Sequence, residues 1–393
     1  MERVVTGERP GWEDTAAAMG FTFHHMDGAR YWDERAYYRF TLDEVEQGIE
    51  APSGELHAIC LDLVADVVGS EALMQRLAIP DGMRDVVAAS WRADAPSLYG
   101  RFDFSFDGSG PAKLLEYNAD TPTSIYETAL FQWQWLEDRI ADGTLPADAD
   151  QYNRLHDALV ARFGALFTPG SLIHFASVPD FVEDRQTVRY LEDAARQAGL
   201  EPSFVGIEAI GVDADGQLVD EEDVLIAALF KLYPWEDMLR EPFSANLAGA
   251  GCHFLEPAWK ALVSNKGILP VLWKVFPNHP NLLPSFFEDD VAGLANAAAL
   301  MLQGHVTKPL FSREGASVTI TQAGRILAEA KSRDYDAYPK IIQAYQPLPA
   351  FDGQHPVLGA WIVGQTCVGM GVREDKALIT QDLSRFKPHF IEG

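Results

Sequence analysis

The sequence RFDFSFDGSGPAKLLEYNADTPTSIY, residues 101–126, predicts the element around which the rest of the chain is arranged. Its first residues alternate between polar and aromatic side chains, which is the period of two that a half-buried β-strand shows. Residues 107–110 have the composition of a tight turn, and the chain then runs back to Asn118. We therefore predict a β-hairpin in this stretch.

Four polar residues of this hairpin are candidates for one shared face: Arg101, Asp103, Glu116 and Asn118. Residues opposite one another in an antiparallel pair point the same way, so an even turn brings the four together and an odd turn separates them. Together they would offer two carboxylates and an amide oxygen, which suit Mg²⁺, and a guanidinium that could hold a phosphate or a carboxylate. The alternative is a solvated outer surface of the hairpin.

The composition limits the classes of partner. The chain has 393 residues, of which 47% are hydrophobic and 23% charged, and its net charge is -27. That charge argues against nucleic acid and anionic membranes, because both require a basic surface, and it suits a cationic substrate such as an amine. The three cysteines indicate neither a disulfide framework nor a zinc site. The N-terminus lacks the apolar core of a signal peptide, and no apolar run is long enough for a membrane-spanning helix. We therefore expect a cytoplasmic protein.

An α/β region follows the hairpin. Residues 171–207 have the pattern of a βαβ unit, and residues 224–233 that of a buried strand. Glu236 comes directly after this strand, where α/β sheets place their ligands. The competing interpretation is an acidic residue at a helix N-terminus, where the helix dipole favours it.

Two lysines and a loop mark the last third of the chain. Lys266 is a cation within an apolar run, residues 253–273, so it either extends to the surface or points into a site. Lys308 precedes a loop of mostly small residues, 312–317, whose backbone N–H groups could hold phosphates. The spacing is not that of a P-loop.

With these segments in view, the chain resembles the synthetase part of the glutathionylspermidine synthase family, a branch of the ATP-grasp ligases, and most closely its synthetase-only members, described as acid–amine ligases. The resemblance covers nearly the whole chain. It is carried by YWDERAYYRFT, RFDFSFDGSG, LLEYNADTPTS, EPAWKALVSNKGILPVLW, TKPLFSREGAS, QAYQPLP, GVREDKALI and SRFKPH.

This resemblance implies a fold of class α+β or α/β: an ATP-grasp-like fold with a pre-ATP-grasp α/β domain and a helical N-terminal cover. The expected arrangement is one synthetase unit over residues 1–393. Within it, residues 1–100 would form the cover, 101–255 the hairpin and the pre-ATP-grasp part, and 256–393 the nucleotide-binding part.

The resemblance also implies roles for single residues. Arg101 and Arg373 are similar to the arginines at the reacting phosphates and at the acyl phosphate. The implied ligands of Mg²⁺, of which two ions are expected, are Asp103, Glu116 and Asn118. The implied ATP-binding residues are Arg101, Lys266, Lys308, Glu314, Gly315, Gln343, Ala344, Tyr345, Gln346 and Leu378. The positions that hold the thiol peptide in bifunctional members are Thr121, Thr123 and Glu236.

The chain departs from the family pattern at the substrate positions. Thr121 and Thr123 stand where serines occur. The basic residue expected beyond Leu378 is missing, because Gln381 and Asp382 occupy that stretch. The later basic residues that could substitute are Arg385 and Lys387.

The function implied is ATP-dependent amide formation between a small, peptide-like carboxylic acid and an amine, through an acyl phosphate. One alternative is a nucleotide-binding regulatory or scaffold protein that has lost ligation, as the altered substrate positions would allow. Another is an ATPase or a kinase-like enzyme. The altered positions leave the identity of acid and amine open, and glutathione and spermidine are not assumed.

Overall fold

The structure is a computed structural model that describes residues 1–26, 28–293, 295–381 and 384–393. Its strands are β1 (Glu2–Val5), β2 (His25–Met26), β3 (Ala29–Arg30), β4 (Ala36–Thr41), β5 (Tyr99–Ser105), β6 (Lys113–Asn118), β7 (Leu172–Ser177), β8 (Glu201–Gly206), β9 (Gly211–Val212), β10 (Leu218–Val219), β11 (Ala228–Lys231), β12 (His253–Leu255), β13 (Ser285–Phe287), β14 (Gly304–Pro309), β15 (Thr319–Gln322), β16 (Arg325–Glu329), β17 (Lys340–Ala344), β18 (His355–Val363), β19 (Thr366–Asp375), β20 (Arg385–Lys387) and β21 (His389–Glu392).

The α-helices surround these strands, and a π-helical turn, Glu127–Phe131, leads into the sixth of them. They are α1 (Trp12–Ala18), α2 (Leu42–Val45), α3 (Ala51–Val68), α4 (Glu71–Arg76), α5 (Arg84–Arg92), α6 (Gln132–Ala141), α7 (Leu155–Leu166), α8 (Val182–Gln197), α9 (Trp235–Met238), α10 (Lys260–Val263), α11 (Ile268–Val275) and α12 (Ala295–Gln303). No helix in the described residues is long and apolar enough to cross a membrane.

The predicted hairpin forms and is built into a larger sheet. Its strands β5 and β6 end an antiparallel sheet whose order is β20-β19-β18-β5-β6. A second antiparallel sheet has the order β13-β17-β14-β15-β16, and a parallel sheet the order β12-β11-β7-β8. The short sheet β1-β4-β21 joins the two ends of the described chain. The first and last parts of the sequence therefore share sheets.

A β-bulge sets the register of the hairpin. Asp103 pairs with Glu116, whereas Phe104 pairs with Leu114, so Leu115 is an additional residue in β6. The connection beyond the last pair, residues 106–112, contains an odd number of residues. An odd connection alone would separate the acidic residues, and the bulge restores the shared face.

The predicted βαβ unit is present as β7, α8 and β8, and its two strands pair in parallel. The predicted strand 224–233 is shorter than expected, because only Ala228–Lys231 is extended in the sheet. The carboxylate of Asp220 accepts hydrogen bonds from the backbone N–H groups of Glu222 and Val224, both at 2.9 Å. These bonds close a turn, so the start of the apolar run belongs to the loop and not to the strand.

Candidate active site

The polar face of the hairpin lies at the centre of the candidate site. Arg101 donates to Asp103 from Nε to Oδ1 at 2.7 Å and from Nη2 to Oδ2 at 3.0 Å. The side-chain nitrogen of Asn118 donates to the carboxylates of Asp103 and Glu116, at 3.0 and 3.3 Å. The four side chains therefore share one face and one hydrogen-bonded group.

Glycines form the floor next to this group. Asp103 pairs across the sheet with Gly359, and Gly359 with Gly371. A Cβ atom at Gly359 would lie 2.7 Å from Cδ of Arg101, so this position has room for the arginine only as glycine. The resulting cavity is lined by Arg101, Asp103, Ser124, Thr128, Val357, Gly359, Trp361, Gly371, Arg373, Thr380 and Phe386.

Lys266 points into the site. Its Nζ lies 3.1 Å from Oε2 of Glu116 and donates to the carbonyl of Ser312 at 2.8 Å, and the residue is only 7% exposed. Burial favours the protonated form of Glu116, but Lys266 and Lys308 outweigh it and hold the pKa of Glu116 at about 2. At neutral pH the site therefore holds an ionised carboxylate next to an ammonium group.

Lys308 reaches the same group from β14. Its Nζ donates to the carbonyl of Leu115 at 2.9 Å and to Oε1 of Gln343 at 2.8 Å. The bulge thus frees a carbonyl from the strand ladder, and that carbonyl holds the lysine. Burial lowers the pKa of Lys308 to about 8, because water no longer stabilises its charge.

The side chains that face one another have the donor atoms that Mg²⁺ prefers. The side-chain nitrogen of Asn118 faces both carboxylates, and turning the amide group over would present its oxygen at the same place. Across the described residues, no group of three or more His, Cys, Asp or Glu side chains is arranged for a metal. The candidate set fits a hard cation through two carboxylates and an amide.

Arg373 lines the same cavity as Arg101 and Asp103. Its Nη2 donates to the carbonyl of Gln381, which holds the segment after β19 against the cavity. Asp382, the neighbour of Gln381 in that stretch, lies outside the described residues.

Neither proposed substitute for the missing basic residue lines this cavity within the described part of the chain. Lys387 is buried between two carboxylates, 2.9 Å from Oδ2 of Asp33 and 3.2 Å from Oε1 of Glu374. Arg385 lines a separate surface pocket with Arg30, Arg35 and Lys376. Lys387 is therefore used in the fold, and Arg385 faces elsewhere.

The loop that carries Glu314 and Gly315 lies beside the cavity. Both residues have positive φ, 52° and 70°. A Cβ atom at Gly315 would lie 2.5 Å from the carbonyl oxygen of Thr380, one of the residues that line the cavity. Only glycine allows this loop to pack so closely against that segment.

The predicted hinge, residues 343–346, follows β17. The side chain of Gln343 is buried and holds Lys308, while the N–H groups of Ala344 and Tyr345 donate to backbone carbonyls of Pro284 and Gly304. Gln346 follows in the connection after the strand. Leu378 and Tyr345 pack against one small apolar cluster, formed by Val318, Ile320 and Ile379.

The predicted substrate residues are linked by an arginine that sequence reasoning missed. Nη2 of Arg313 donates to the hydroxyl of Thr121 at 3.0 Å and lies 3.7 Å from Oε1 of Glu236. The carbonyl of Thr123 accepts from Nη1 of Arg101 at 2.7 Å. Burial raises the pKa of Glu236, with Arg313 opposing it. The one feature of the sequence that pointed to Arg313 was its position directly before Glu314, a predicted ATP-binding residue.

Buried ion pairs, also missed from the sequence, fix the loop between the hairpin and these threonines. Nζ of Lys231 lies 2.7 Å from Asp120, whose other oxygen accepts from the backbone N–H of Trp235 at 2.7 Å. Lys260 lies 3.0 Å from Glu256 and donates to the carbonyl of Ala119 at 3.0 Å. A lysine within an apolar strand, as at Lys231, was the available signal.

The mixed α/β architecture, with lysines facing a pair of acids, is consistent with an ATP-grasp-type fold. A family model described as "Glutathionylspermidine synthase preATP-grasp" matches residues 3–392. The chain therefore belongs to the glutathionylspermidine synthase family, a family of ligases, which confirms the resemblance drawn from its motifs.

Particular relatives support this assignment. A Haemophilus influenzae protein named "Putative acid--amine ligase" is 37% identical over 98% of this chain and 99% of its own length. Trypanothione synthetase from Crithidia fasciculata is 28% identical over 83% of this chain, and the bifunctional glutathionylspermidine synthetase/amidase of Escherichia coli is 27% identical over 90%. The matches span only 52% and 59% of these two longer proteins.

A solved structure shows the same fold. The glutathione synthetase-like effector from Globodera pallida aligns with 91% of this chain and 89% of its own, with a TM-score of 0.56 and 12% sequence identity. At this identity the likeness concerns the fold alone.

Proposed function

We propose that this protein joins a small carboxylic acid to an amine, using ATP and forming an acyl phosphate on the way. The observation that carries the proposal is the ion pair between Glu116 and Lys266, at 3.1 Å, beside Lys308 and the Arg101–Asp103 pair. Acids that can hold a metal and lysines that can hold phosphates thus meet in one place. The family assignment and the relative named as an acid–amine ligase support the same reaction.

Each part of the site has a task in this reaction. Asp103, Glu116 and Asn118 would hold Mg²⁺, which would neutralise negative charge on the phosphates. Lys266 and Lys308 would hold the phosphates of ATP, with Glu314 and Gly315 in the loop that covers them. Main-chain groups of residues 343–346, together with the side chain of Leu378, would receive the adenine.

The acid would lie between the phosphates and Thr121. Arg101 and Arg373 line the cavity between the two parts of the site and would stabilise charge on the acyl phosphate and its precursor. Thr121, Thr123 and Glu236 would orient the acid, and Arg313 is placed to hold its carboxylate or to link the loop to it. A peptide-like acid suits this mixture of hydroxyl, acidic and basic groups.

Labelling distinguishes this reaction from its alternatives. The protein would be incubated with ATP, Mg²⁺, a panel of carboxylic acids that includes glutathione, and spermidine or simple diamines. Amide products would be detected by mass spectrometry, with ¹⁸O in the acid's carboxylate. The proposal predicts a joined product and ¹⁸O in the released phosphate. ADP formation without a joined product would indicate an ATPase, and ATP binding without turnover a binding protein.

A further inference from the structure

Glu127 is a buried carboxyl beside the cavity that the steps above do not use. It lies between Ser124 and Thr128 in the chain, both of which line the cavity, and is only 1% exposed. Its Oε1 has no hydrogen-bond partner within the described residues. A buried polar oxygen without a partner is unfavourable unless something else uses it.

The surroundings of Glu127 suit a cation. Glu183, at the start of α8, acts on it as a like charge, and Asp184 follows in the same helix. On the other side, Tyr31 hydrogen-bonds to Ser124 at 2.9 Å, and Arg373 faces Glu127 as the nearby opposite charge. The acids favour an ammonium group nearby, and Arg373 offsets part of their charge.

We propose that Glu127 accepts the proton that the attacking amine must lose. The inference rests on the proposed function and names the group that activates its second substrate. An alkylammonium ion has no lone pair, so it gives one proton to the Glu127 carboxylate before it can react.

The step balances in atoms and electrons. The freed nitrogen lone pair attacks the carbonyl carbon of the acyl phosphate and forms the C–N bond. The bond from that carbon to the phosphate oxygen breaks, and phosphate leaves with the electron pair. The nitrogen loses its second proton to the departing phosphate, and Glu127 later returns its own proton to water.

The acidity of Glu127 matches this task. Burial and the like charge of Glu183 raise the pKa of Glu127 to about 7, against the opposing influence of Tyr31 and Arg373. A proton acceptor works best when its pKa lies near the working pH, because it is then both ionised and basic. Burial and the like charge of Glu183 also raise the pKa of Asp184, to about 6.

The test compares two nucleophiles in wild type and in Glu127→Gln. Spermidine is protonated at neutral pH and needs a proton acceptor, whereas hydroxylamine is largely unprotonated and traps an acyl phosphate as a hydroxamate without one. Glu127→Gln should lower amide formation with spermidine by about 100-fold and leave hydroxamate formation within about threefold. Raising the pH should restore the variant, by about tenfold per unit, as the neutral amine becomes more abundant.

A matched control is Glu192→Gln. Glu192 is a buried glutamate on α8 that accepts from Arg185 at 2.9 Å and does not line the cavity. The substitution Glu192→Gln should leave amide formation and hydroxamate formation unchanged. Equal loss of both reactions in Glu127→Gln, or no loss of either, would overturn the role of Glu127. If the wild type forms no hydroxamate with any acid of the panel, the proposed function itself fails, and the inference fails with it.

Discussion

At the scale of residues, the candidate site depends on charges that hold one another in place. Asp103 links two of its residues, since it accepts from Arg101 twice and from Asn118 once. We expect Asp103→Asn to lower kcat for ATP-dependent turnover by roughly 100-fold or more, because it weakens both the metal site and the hold on Arg101.

The control for this substitution is Asp107→Asn. Asp107 lies in the exposed turn of the same hairpin, and among the described residues its side chain bonds to Ser109 alone. It should retain wild-type turnover and Mg²⁺ dependence. Full activity of Asp103→Asn in steady-state assays would contradict the metal assignment.

The carboxyl of Glu127 should also be visible in the stability of the protein. Its pKa is raised to about 7 in the folded state, so the folded state binds more protons than the unfolded state between about pH 4.5 and 7. The free energy of unfolding of wild type should therefore fall, relative to Glu127→Gln, as pH rises through this range. Urea denaturation at several pH values measures it, and parallel curves for the two proteins would contradict the buried, protonated state.

At the scale of elements, the loop with Gly315 and the segment with Thr380 form one side of the cavity. Gly315→Ala should separate them, since the new Cβ atom has no room against the carbonyl of Thr380. We expect a higher KM for ATP by roughly tenfold. Gly324→Ala is a matched control, because Gly324 has a similar φ of 74° but nothing within 4 Å of its Cβ position. Equal effects of the two variants would show that backbone strain alone is responsible.

The hairpin was predicted from the sequence in part. Alternating residues predicted its strands. The apolar residues around Lys266 left two possibilities for this lysine, extension to the surface or a place in a site. The bulge at Leu115 was not predictable, because an additional residue in one strand of a hairpin depends on hydrogen bonds that no local pattern specifies. We expect deletion of Leu115 to keep Glu116 opposite Asp103 but to remove the carbonyl that holds Lys308, and so to lower turnover, whereas deletion of Ser109 in the turn should be tolerated. Activity assays and circular dichroism would distinguish the two.

At the scale of the whole molecule, buried ion pairs connect the sheets. Asp120 and Lys231 are almost completely buried and join the loop after β6 to the parallel sheet. We expect Asp120→Ala to lower the free energy of unfolding by about 3–5 kcal/mol, since it leaves a buried ammonium without its partner. Asp120→Ala combined with Lys231→Met should recover part of this loss in urea denaturation. A loss in the double variant equal to the sum of the single losses would show that the pair is not coupled.

Long-range contacts also explain which parts of the site sequence reasoning missed. Arg313 acquires its significance from Thr121 and Glu236, and Glu127 from Glu183 and Arg373, all distant in the chain. Neither residue belongs to a local pattern. The resemblance to a family supplied the roles of Lys308 and Arg373, which composition and periodicity could not.

The central claim is that acids of the hairpin and lysines of the last third form one Mg-ATP site. A crystal structure with Mg²⁺ and a non-hydrolysable ATP analogue tests it most directly. We predict a metal ion about 2.1 Å from oxygens of Asp103, Glu116 and Asn118, with phosphates against Lys266 and Lys308. A nucleotide bound elsewhere, with Asp103 still bonded to Arg101 and Asn118 and no metal ion beside it, would contradict it.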